Sequence, residues 1–110
     1  MKLYRIFLPK YYNNGQPIEA KKLRKIADDI RTKFGAYSAN PFATLPIIQG
    51  VWTDGGKNKI YTDQLICIEL FVEDTFDNQA WLKSFKELAR QELKQEELFV
   101  VVQNAEIILK

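Results

Sequence analysis

Residues 3–8 alternate. Tyr4, Ile6 and Leu8 fall on one face of an extended segment, and Leu3, Arg5 and Phe7 on the other. Pro9 ends that strand, and Tyr11-Tyr12-Asn13-Asn14-Gly15 is turn chemistry. The period then changes: Leu23, Ile26, Ala27, Ile30 and Phe34 recur at helical spacing, with Pro17 as the expected opening and Gly35 as the stop. Residues 36–46 contain two prolines and read as an irregular segment. Ile47 to Trp52 resumes a strand, and Leu65 to Glu73 is the most apolar strand of the chain, with Ile66, Ile68, Leu70 and Val72 on one face. A second helix follows, capped by Thr75 or Asp77, with Trp81, Leu82, Phe85, Leu88, Ala89 and Leu93 as its apolar stripe. Leu98 to Val102 is a last strand, which residues 105–109 extend or follow with a short extra one.

The order strand, helix, strand, strand, helix, strand within 110 residues predicts one α+β domain spanning 1–110. Two amphipathic helices that each bury one stripe lie most simply on one face of a four-stranded antiparallel sheet. This is the ferredoxin-like βαββαβ arrangement, with the first and third strands central. The stretch GVWTDGGKNKIYTD, residues 50–63, then reads as the hairpin between the second and third strands, turning at Asp54-Gly55-Gly56. A phosphate-binding loop would need G-x-x-x-x-G-K-[ST] running into a helix; here Asn58 follows the lysine and a strand follows the loop. Trp52 and Tyr61 read first as a cross-strand aromatic pair.

A sheet with helices on one face leaves the other uncovered. Leu3, Phe7, Leu65, Cys67 and Phe71 should lie there, with Arg5 opposite Glu69 between them. A solvated face normally turns polar, so this patch is expected to be an interface, closed by a second copy in a two-fold homodimer. The competing expectation is that segment 36–46, anchored by Phe42 and Leu45, or the C-terminal segment folds over it.

Charge and composition narrow the chemistry. There is no histidine and one cysteine, Cys67. A structural zinc site and a histidine-based triad are thereby set aside; no metal is expected and no motif calls for a cofactor. Cys67 suits a reducing cytoplasm, and the longest apolar run falls short of the ~18 residues of a membrane span. Residues 1–59 hold eleven Lys and Arg against four acids, and residues 60–110 five against ten. The basic first helix carries interspersed acids and reads as a solvated face rather than a nucleic-acid grip. Phe7 and Phe71 sit where an RNA-recognition sheet stacks bases, but Glu69, Glu73 and Asp74 would repel phosphate, and the K/R-G-F/Y run is absent.

The composition therefore favours a non-catalytic binding or regulatory module with a small-molecule ligand. Its polar and aromatic candidates are Arg5, Tyr11, Tyr37, Trp52, Tyr61 and Asp63. A dimeric α+β-barrel type of enzyme working without histidine is one alternative, and an RNA- or DNA-associated ferredoxin-like protein is the other. Gly50-Val51-Trp52, the Gly55-Gly56 turn, the strand from Leu65 to Val72 and the run from Arg90 to Phe99 resemble small bacterial proteins in which a G-x-W strand precedes a helix ending in a glutamine–acid pair. That resemblance covers about the second half of the chain. It implies a ferredoxin-like fold and a bacterial origin, and it brings no activity.

Overall fold

A computed structural model describes residues 1–43 and 65–108. Its elements are β1 (Lys2–Pro9), α1 (Ala20–Phe34), β2 (Ser38–Ala43), β3 (Leu65–Val72), α2 (Phe76–Glu92) and β4 (Phe99–Asn104). The four strands form one sheet in the order β2-β3-β1-β4, antiparallel at every junction. This is the ferredoxin-like layout, with β1 and β3 in the middle.

The even-numbered residues of β1 and β3 meet the helices. Tyr4, Ile6, Leu8, Ile68, Leu70 and Val72 share one core with Ile26 and Ile30 of α1 and with Leu82, Phe85 and Ala89 of α2. Both helices therefore lie on the same side of the sheet. Trp81 ties them together: its ring stacks on Phe85 at 5.2 Å and takes the edge of Phe34 at 5.3 Å. No helix among the described residues is long and apolar enough to cross a membrane.

Element ends follow local chemistry. Gly35 sits at φ 90°, open to glycine at little cost, and its N–H reaches the Arg31 carbonyl at 2.7 Å. Thr75 is the cap of α2: its hydroxyl accepts the Asn78 N–H at 3.2 Å. The other end of α2 closes through Lys94 at φ 53°, where the Gln95 N–H bonds the Arg90 carbonyl at 3.0 Å.

Several expectations are corrected. Pro17 does not open α1. It stands in an isolated bridge with Tyr11, and the Ile18 N–H bonds the Lys10 carbonyl at 2.9 Å. That pairing holds the chain extended while Ile18 buries its side chain in the core, so the helix waits until Ala20. Segment 36–46 is not irregular throughout, and its residues 44–46 lie outside the described residues. Residues 38–43 are themselves a strand, β2, and Phe42 stands within it. Among the described residues β2 pairs on one side only, a position that tolerates proline, and the pairing register shifts between Asn40 and Ala43, around Pro41. The expected strand at 47–53, its hairpin and Leu45 lie outside the described residues. Leu88 is 67% exposed rather than buried, since the stripe of Leu82, Phe85, Ala89 and Leu93 runs to one side of it. Residues 105–108 form no strand, although the Ala105 N–H bonds the Met1 carbonyl at 3.1 Å.

Replacing Thr75 by alanine removes the only side-chain cap described for either helix. The expected loss is about 1 kcal/mol, a fall in Tm of roughly 4–8 °C in circular-dichroism melts, with Thr75→Ser close to the parent.

Candidate functional site

The odd-numbered residues of β1 form the centre of the face turned away from the helices. The register sets Leu3, Arg5 and Phe7 opposite Phe71, Glu69 and Cys67 on β3 and opposite Gln103, Val101 and Phe99 on β4. A hydrophobic sheet surface is thus crossed at mid-height by a polar string. Arg5 Nε lies 3.6 Å from Glu69 Oε2, and Arg5 Nη1 donates to Gln103 Oε1 at 3.0 Å. A guanidinium has five N–H donors in a planar fork, so this one keeps capacity for a further acceptor.

Burial varies across the face. Leu3, Leu65 and Cys67 are buried, Phe7 is half-buried, and Phe71 is 55% exposed. Burial, and then the Glu69 charge, raise the Cys67 thiol above its ordinary range, with Arg5 opposing. Buried and with its thiol held protonated, Cys67 packs in the manner of a small apolar side chain.

The candidates read from the sequence are dispersed. Arg5 is at the centre of this face, which no described helix covers. Tyr37 packs against the helix-side core just ahead of β2. Tyr11 is exposed in the loop after β1. Trp52, Tyr61 and Asp63 lie outside the described residues.

A second polar cluster had no linear signal, because its members come from a turn, a helix start and a helix end. The Tyr12 hydroxyl donates to the Glu19 carboxylate, and Lys22 Nζ donates to the Tyr12 oxygen at 3.1 Å. Lys22 and Lys94 stand 5.6 and 5.7 Å from the centre of the Tyr12 ring. The hydrogen bond from Tyr12 lowers the Glu19 carboxyl below its ordinary range, and the bond to Tyr12 raises Lys22 above its own. The cluster joins the loop after β1 to the end of α2, and its members satisfy one another.

Two grooves flank α2. One, of about 620 Å³, runs between the helices past Trp81 and Leu88. The other, of about 260 Å³, lies between α2 and β4. Among the described residues no group of three or more metal-ligating side chains comes together.

No family model matches the chain, and no curated protein matches it. Among solved structures, a phage SAM lyase in complex with S-methyl-5'-thioadenosine is similar, at TM-score 0.63 and 16% identity. The match covers 93% of this chain and 79% of the lyase chain. At that identity the likeness is one of fold.

The buried thiol gives a test of the face. Cys67 should react with a disulfide reagent far more slowly in the native chain than in denaturant, where it should react at once, as absorbance on thiol release will record.

Proposed function

We propose that the chain is a binding module in which two copies join through the open faces of their sheets and hold a small ligand against Arg5 and Glu69. The observation that supports it is the composition of that face: a guanidinium and a carboxylate, both part-exposed, framed by Phe7 and Phe71. Exposed ion pairs of this kind stabilise a fold by about 0–1 kcal/mol, so the pair is better explained by recognition than by folding. A nucleoside fits these groups: its base would lie on a phenylalanine ring, and its hydroxyls would meet the carboxylate and the guanidinium. S-methyl-5'-thioadenosine, the ligand of the structural neighbour, is the first such compound to test.

The same neighbour suggests a second reading, a small enzyme working without histidine, because the neighbour is a lyase. In S-adenosylmethionine the C–S bond breaks with its electron pair on sulfur while the substrate's own carboxylate closes on that carbon as a lactone, so the thioether leaves neutral and needs no protonation. Orientation and a nearby carboxylate are then the protein's contribution, and Glu69 supplies the carboxylate of the open face.

Light scattering should give a dimer mass for the parent chain and a monomer mass for Phe71→Arg; a monomeric parent would remove the shared interface. Calorimetry with S-methyl-5'-thioadenosine should give saturable binding that Glu69→Gln weakens about tenfold. Release of that compound from S-adenosylmethionine, lost in Glu69→Gln, would move the conclusion to the enzyme. Absence of both binding and turnover would end both readings.

A further inference from the structure

The two edges of the sheet are built differently. β2 carries Pro41 and a register shift, devices that prevent a further strand from pairing. β4, Phe-Val-Val-Val-Gln-Asn, has neither proline nor charge, and among the described residues nothing pairs with its outer side. Its register places Val100 and Val102 on the helix side, opposite Ile6 and Tyr4. There they line the groove of about 260 Å³ together with Leu82 and Phe85. Val102 remains 47% exposed. The helical wall of the same groove presents Lys83 and Lys86, and neither makes an ion pair within 4 Å among the described residues.

We propose that the outer edge of β4 from Val100 to Asn104 and this groove bind an extended peptide segment that carries carboxylates and adds to the sheet as a fifth strand. Backbone pairing along β4 would supply affinity, since the outer N–H and C=O groups of an edge strand are a ready template. Apolar side chains of the segment would enter between Val100, Val102 and Leu82. Its acidic side chains would meet Lys83 and Lys86. Charge decides the kind of occupant. A second copy paired edge to edge would bring its own Lys83 and Lys86 against this pair across the two-fold axis, and its β4 offers no carboxylate in return. An acidic strand meets the lysines with opposite charge.

Fluorescence anisotropy tests this with the full chain and a labelled short peptide of alternating glutamate and valine. The expected result is saturable binding that weakens about tenfold or more in Lys83→Glu/Lys86→Glu and falls as salt rises from ~50 to ~500 mM. Both substitutions lie on the helix surface, and an unchanged circular-dichroism spectrum will show that the fold is kept. The same peptide N-methylated at alternate residues should lose binding, and hydrogen exchange should show new protection of residues 99–104 in the complex. A lysine–valine peptide should prefer the charge-reversed variant. Absence of saturable binding overturns the proposal, as does equal affinity for acidic and basic peptides or full affinity after N-methylation. Protection of 99–104 that grows with protein concentration in the absence of peptide overturns it as well, and assigns the edge to a second copy.

Discussion

β1 is paired on both sides along most of its length, and the parity of its residues decides what every surface of the molecule carries. Ile6 and Leu8 are almost wholly buried beneath the helices, so Leu3, Arg5 and Phe7 must face the other way. A slip of one residue would set a guanidinium against α1 and α2 and turn two core aliphatics into water. Burial of those aliphatics, each contributing about 1.5–3 kcal/mol relative to exposure, therefore fixes the position of Arg5 as well. The polar string of the open face follows from core packing: Arg5 can reach Glu69 and Gln103 because Ile6 is locked on the opposite side.

The part of the fold that follows from period alone was legible in the sequence. The alternation of Tyr4, Ile6 and Leu8, the stripe of Ile26 and Ile30, Gly35 and Thr75 each state a local preference that the packing keeps. Where a reading missed, a tertiary circumstance had overruled a local rule. Proline forbids a central strand but not an edge, and only the sheet order reveals that residues 38–43 lie at an edge. Pro17 favours a helix start, yet the Ile18 N–H is taken by Lys10, an interaction across a loop. The open-face site was legible to the extent that it is a register, since Arg5 facing Glu69 follows from strand pairing. The Tyr12 cluster and the lysines beside β4 were not, because helices and loops bring them together without any repeat in the chain.

The sheet face around Arg5 and the β4 edge offer a partner different groups. On the open face the sheet is flanked by its own strands, its backbone groups are satisfied, and any partner must be recognised by side chains alone: phenylalanine faces, a carboxylate and a guanidinium. At the β4 edge the backbone is itself the recognising element, and the side chains only choose among strands. The first arrangement suits a compact ligand or a matching copy of the same face. The second suits a chain in extended form.

These surfaces also meet. Val101 belongs to the open face by register, while Val100 and Val102 belong to the groove, so a single strand borders both. A strand added at β4 would widen the open face beyond Val101 and Gln103, and Gln103 is the residue that accepts from Arg5. Anything that fixes β4 more firmly thus also fixes the guanidinium, by holding its acceptor in place. The coupling needs no movement of the helices. It requires only that the edge strand be the least anchored of the strands around Arg5, as a strand paired on one side only among the described residues should be.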